Sequence, residues 1–288
     1  ANSPYSIDGD LFIGADVTVT IDPGVTFQLK ANNDEMSGGD NPALSEIIVY
    51  GTLICEGTAD SLITFKSYFG SNTAGEWGQI MTDLDGRIFI QFAEIKHSYN
   101  GINIYESAPM DLRIENCIFQ DIEGTGILIT SSNIGQSFTS GNSFTAVGRA
   151  IISYRTNNHS SHNVITGGGD GIESPGNSTV ISNEISNLTG IACKVSGYSH
   201  VINNDIIDIG GKGIYLYGSY FSIIGNNITN VGGGYNPSSI YGEGCRYANI
   251  YGNYISNSNE YAIYLSDGNT DLNLVFNTGV PGGSPSYS

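Results

Sequence analysis

The sequence predicts an all-β chain wound as a parallel solenoid of about ten coils, and three observations carry that prediction. An Asn-x-Ile-like element recurs at Asn116, Asn142, Asn163, Asn183, Asn204, Asn226, Asn253 and Asn277, and a degenerate copy places Ala93 in the Asn position. A second short apolar element follows each copy, in forms such as "GINIY", "GILIT", "GIYLY" and "AIYLS". Between them lie Gly and Asn punctuation and no long stretch of helical periodicity. Short strands with tight turns, repeated every 20 to 27 residues, cannot bury a core alone and must stack.

Taken in chain order, residues 1–84 form the opening coils and the amino-terminal cap, with Leu11-Phe12-Ile13 and Val17-Thr18-Val19 as strands. Residues 85–280 hold the Asn-x-Ile repeats, so 1–280 reads as one domain, and 281–288 ("PGGSPSYS") as a flexible tail. Stacked strands lie about 4.8 Å apart, so equivalent residues form columns. Two positions after the Asn register come Ile95, Ile118, Phe144, Ile165, Ile185, Ile206, Ile228 and Ile255, the expected interior stack. The Asn column sits at a turn, where side-chain amides can bond from coil to coil. Asn187, Asp208, Asn230 and Asn257 form a second such column four residues later.

These "NxI…GI" repeats over about 85–280, with "TIDPGVTFQL", "IIVYGTLICEGTADSLITFKS" and "EWGQI" before them, resemble the right-handed parallel β-helix family of the pectin-lyase-like superfamily, secreted type. The resemblance implies a right-handed β-helix. It also implies a possible enzyme, because many members are polysaccharide lyases, hydrolases or epimerases. The polygalacturonase signatures are not matched: Asn269-Thr270-Asp271 stands without the adjacent Asp pair, G-H-G or R-I-K. For a lyase, the candidate catalytic residues are Arg149, Asp170 and Lys212, with Lys194 in the preceding coil. Arg149 and Asp170 each lie seven residues past their Asn; the alternative is a surface ion pair between coils. The four histidines fall in scattered registers and suggest no catalytic arrangement.

The net charge of −18, from 10 Lys+Arg against 28 Asp+Glu, excludes a nucleic-acid partner and disfavours a polyanionic sugar. No apolar run is long enough for a transmembrane segment. Ala1-Asn2-Ser3-Pro4 reads as a mature amino terminus or a cloning boundary, and the composition as extracellular or cell-surface. Sequons stand at Asn158, Asn177, Asn187 and Asn227. Cys55, Cys117, Cys193 and Cys245 lack zinc-site spacing and read as buried thiols, with one or two disulfides as the alternative.

Two binding features stand out. The outward column of the second strand runs Asn103, Leu128, Ile152, Glu173, Ala192, Tyr215, Tyr241, Tyr264, with Tyr217 beside Tyr215, and suggests a platform for sugar rings or a protein partner. Asp267, Asn269 and Asp271 present oxygen ligands at alternate positions, a partial calcium loop that suggests bound Ca2+; Asp83/Asp85 and Asp34/Glu35 are weaker versions. An uncovered last coil suggests end-to-end self-association into a filament. The expected function is thus a non-catalytic extracellular or cell-surface protein that binds polysaccharide or builds a surface assembly. The alternative is a polysaccharide-active enzyme, a lyase before a hydrolase.

Overall fold

The computed structural model describes residues 3–30, 38–70, 73–154, 157–233, 237–266, 271, 273–275 and 286–287. Every regular element among them is a β-strand, and these strands pair in parallel, each joining its counterpart one coil on. The fold is a right-handed parallel β-helix of about ten turns. No helix among the described residues is long and apolar enough to cross a membrane. The chain divides into two units, Ala1–Ile152 and Ser153–Ser288, and in each unit every coil supplies strands to three faces.

In the first unit, the first face carries Tyr5–Ile7, Thr26–Leu29, Ile63–Ser67 and Ala93–Lys96 in successive coils, followed by the start of Ile118–Ile129. Its inward column is Phe27, Phe65, Ile95, Phe119. Phe27 and Phe65 stack at 5.4 Å, and Phe119 stacks on Phe144 at 4.8 Å. The inward residue in the fifth coil is therefore Phe119 and not Ile118. Here the register expected from the sequence is one residue out. Asn116 occupies a left-handed turn position at φ 56°, and Cys117 takes the ladder position. The Cys117 backbone N–H donates to Asn142 Oδ1 at 2.9 Å, as an Asn would, and the thiol points at the Glu115 carbonyl.

The second face of the first unit is covered. Its outward column Ile48, Met81, Asn103 is buried, because Asp40 bonds Gln79 Nε2 (2.9 Å) and Asn103 Nδ2 (3.5 Å) across it. Beneath this cover lies Glu46, fully buried, with Oε2 accepting from the Asn41 N–H and Oε1 lacking any hydrogen-bond partner.

In the second unit the Asn column is a continuous buried ladder. Each Oδ1 of Asn183, Asn204, Asn226 and Asn253 accepts both the backbone N–H and the Nδ2 of its counterpart one coil earlier, at 2.9–3.0 Å. Each Nδ2 also donates to a carbonyl of the previous coil, for example Asn204 to Val180. The ladder satisfies backbone groups that the corner removes from the sheet. The second column is exposed and left-handed, with Asn187, Asp208, Asn230 and Asn257 at φ 51–58°. Its members link edge to edge, Asn257 to Asn230 and Asn230 to Asp208. All four cysteines are buried thiols outside any disulfide, as the thiol reading expected. Asn158 is buried and bonded to Ser160 and Ser174, so of the four sequons it is closed to a glycan in the folded state.

Candidate functional site

The open outer surface of the second unit's second face carries the tyrosine column. Its strands are Cys193–Ser196, Ile214–Ile224, Ser238–Tyr251 and Tyr261–Ser266. Inward residues Cys193, Ile214, Ile240 and Ile263 align and are buried. Alternation then turns the next residue of each strand outward, giving the column Glu173, Lys194, Tyr215, Tyr241, Tyr264. The three tyrosines stand where the sequence placed them. The residue before them is Lys194 and not Ala192: the strand begins two residues later, with Cys193 inward, and Ala192 is buried at the turn.

The rings lean on one another. Tyr241 and Tyr264 are nearly parallel at 5.6 Å, Tyr215 meets Tyr241 edge-on at 5.2 Å, and Tyr261 packs on Tyr264 at 4.9 Å. Stacking of this kind uses ring faces internally. The column therefore presents edges and hydroxyls, while Tyr217, 45% exposed, contributes a freer ring alongside. Charged groups frame the aromatics. Lys212 Nζ sits 4.6 Å from the Tyr241 centroid and 5.9 Å from that of Tyr215, within cation–π range. The Tyr215 hydroxyl donates to Glu243 Oε2 at 2.8 Å. Burial, followed by this bond to a carboxylate, pushes the Tyr215 phenol up to about 12. Lys194 pairs with Glu173 at 2.7 Å, and that hydrogen bond raises its ammonium pKa. The surface thus combines apolar ring edges, hydroxyls, two ammonium groups and two carboxylates, a set suited to hydroxyl-rich rings.

Of the sequence-derived catalytic residues, Asp170 and Lys212 stand apart within the second unit. Asp170 Oδ1 accepts the Ile191 N–H at 2.7 Å and so braces a turn. The pairing of Gly171 with Ile191 and of Ala192 with Lys212 sets Asp170 and Lys212 two coils apart, about 9.6 Å by the stacking distance. Arg149 is an exposed residue of the first unit. Of the calcium residues, Asp267 and Asn269 lie outside the described residues. Asp271 is a left-handed turn residue at φ 55°. Among the described residues no group of three or more His, Cys, Asp or Glu is arranged to hold a metal.

A second aromatic ladder escaped the sequence reading. Tyr198, Tyr220 and Tyr247 stack at 4.6 and 4.8 Å, are 44–59% exposed, and all have positive φ. Their corner position is held by Asn177 in an earlier coil and by Asp271 in a later one, both also left-handed. The legible signal would have been tyrosine recurring in a column otherwise filled by Asn and Asp.

Comparison with known proteins bears on the fold. The family model for the right-handed β-helix region matches residues 150–278. Among solved structures, the A-module of mannuronan C-5 epimerase AlgE4 from Azotobacter vinelandii is similar at 15% identity and a TM-score of 0.50, covering 97% of this chain and 91% of that one. The A-module of AlgE6 from the same organism gives 15% and 0.52, covering 94% and 88%. The Dettilon tailspike protein gives 13% and 0.37, over 89% of this chain and 48% of its own. No curated protein sequence matches this chain.

Proposed function

We propose that the protein is an extracellular glycan-binding β-helix, and that a polysaccharide lies along the tyrosine column of its second unit. The observation that carries this reading is the alignment of Tyr215, Tyr241 and Tyr264 in three consecutive coils, framed by Lys212 and Glu243. Tyrosine supplies an apolar edge and a hydroxyl together, and a rigid sheet holds both without further entropy loss on binding. The spacing of about 4.8 Å per coil repeats along the column, as a polymer of rings requires. The two epimerase modules act, by name, on mannuronan; at their level of identity they support only the suitability of this fold for long glycans. Glu173 and Glu243 at the rim, in a chain of net charge −18, favour a neutral glycan at this face.

The test is affinity electrophoresis against a panel of neutral and acidic polysaccharides. Retention by at least one neutral glycan is expected, and Tyr215→Ala and Tyr264→Ala each should weaken it about tenfold. Unchanged retention in both variants overturns the reading. Release of unsaturated products absorbing in the ultraviolet would replace it with a polysaccharide lyase.

A further inference from the structure

A cavity of about 400 Å³ opens on the first face of the first unit. Two outward columns line it. Thr26, Thr64 and Glu94 make one. In the other, the register that pairs Glu94 with Thr64 and Ile95 with Phe65 continues to set Lys96 opposite Lys66, with Gln120 one coil further on. His97 and Asp121 close the end of the cleft from the following corner.

Three features of this cleft are unexplained by the fold. First, two of the chain's five lysines stand in adjacent coils of a strongly acidic protein. Like charges directly opposite each other in a sheet are destabilising. Second, neither acid of the lining pairs with Lys66: Glu94 pairs with Lys96 at 2.7 Å, and Asp121, which keeps its charge, accepts from Gln120 Nε2 at 3.0 Å. Lys66 has no carboxylate within ion-pair distance among the described residues. Third, the His97 side chain is only 7% exposed, and its Nδ1 has no hydrogen-bond partner. Its Nε2 lies 3.9 Å from Asp121, beyond hydrogen-bond reach. The backbone at this corner is held firmly: His97 donates its backbone N–H to the Gln120 carbonyl and accepts from the Glu76 N–H at its own carbonyl. Trp77, fully buried, donates its indole N–H to the Lys96 carbonyl at 2.7 Å. A polar, roomy cleft that keeps one ammonium without a counter-ion beside a fixed imidazole suits a ligand that brings the missing negative charge.

We propose that this cleft binds an oxyanion, the carboxylate or sulfate group of a small hydroxylated ligand, with Lys66 as counter-charge and the His97 ring closing its end. The hydroxyls of Thr26 and Thr64 then face the ligand's polar remainder. The site belongs to the first unit and is independent of the tyrosine column, which belongs to the second.

Trp77 is the chain's single tryptophan and is bonded to the strand that carries Lys96, so its fluorescence reports on the cleft. The intact protein is titrated with glucuronate, methyl sulfate and, as the neutral control, glucose. A saturable change is expected with at least one anion and none with glucose; which anion responds assigns carboxylate or sulfate. Lys66→Met should weaken binding about tenfold or more, as loss of a charge-assisted contact does. Lys30→Met, which alters a lysine paired elsewhere with Asp8, should bind as the parent does. Silence toward both anions, an equal response to glucose, or unchanged affinity in Lys66→Met overturns the proposal. If Lys66→Met does not fold, Lys66→Gln is used with the imidazole 15N shift of His97 in the parent protein, and a shift unmoved by either anion overturns it equally.

Discussion

Glu46 offers the sharpest test of the energetics. Its carboxylate is fully buried under the segment that covers the first unit's second face, and Oε1 has no partner. Burial pushes its pKa from 4.5 up to about 7, against the Asn41 N–H and the nearby Gln79 amide, which hold it down, and with a smaller push from the Asp40 charge. A carboxyl whose folded pKa lies above its unfolded value stabilises the fold below the unfolded value, and that stabilisation is lost as pH rises through the folded one. At about 1.4 kcal/mol for each tenfold change in the ionisation constant, that displacement amounts to about 3 kcal/mol. Glu46→Gln keeps the shape and an acceptor for the Asn41 N–H but never ionises. Its stability relative to the parent should therefore rise by about 3 kcal/mol between about pH 4.5 and about pH 8, mostly between 5 and 7. Urea denaturation of both proteins across that range measures the difference. A gap that is flat with pH, or that shrinks as pH rises, would refute the argument that burial outweighs the hydrogen bonds this carboxylate receives.

Other consequences follow from the columns. Asn204→Ala strips two acceptor contacts from Asn183 and should cost about 3 kcal/mol or more by denaturation, whereas Asn230→Gly in the exposed left-handed column should cost under about 0.5 kcal/mol; equal losses would show that the buried ladder is not special. Burial pushes the thiols of Cys117, Cys193 and Cys245 up to about 12, and that of Cys55 upward as well. Ellman's reagent should thus find no reactive thiol in the native protein at mildly alkaline pH and four after denaturation. In the exposed tyrosine ladder, Tyr220→Ala removes two stacking contacts while keeping an unfavourable left-handed residue, a loss of about 1–3 kcal/mol. Tyr220→Asn recovers about 1 kcal/mol of that by suiting the backbone, and the two variants melting alike would mean that the corner carries no strain.

The fold was legible because a β-helix writes its columns into the sequence at nearly constant intervals. Where the reading slipped, the local chemistry was degenerate. At 116–119 the chain reads Asn-Cys-Ile-Phe. Asn suits both the ladder and the left-handed residue before it, and either Ile118 or Phe119 could face inward. Two tertiary facts decide the register: the Phe119 ring stacks on Phe144, and a small thiol fits the ladder position with its N–H on Asn142. Neither is local, so no window of the sequence contains them.

The candidate sites were legible to the extent that they follow from alternation. Tyr215, Tyr241 and Tyr264 were found because the period of two fixes their side. Lys194 was missed in favour of Ala192 because a slip of two residues preserves that side, and only the length of the preceding corner separates the alternatives. His97 shows the deeper limit. It shares its corner with Asp121, and both residues are left-handed, the conformation that Asn and Asp hold at the corners of the second unit. By position it is an ordinary turn residue. What makes it a candidate is the company the coils bring to it: Lys66 lies 31 positions earlier in sequence and Asp121 lies 24 later, each a coil away, together with the tryptophan that clamps its strand. In a solenoid, neighbours across coils are separated by an irregular number of residues. A binding cluster is therefore invisible until every corner length is known, even when each column has been read correctly.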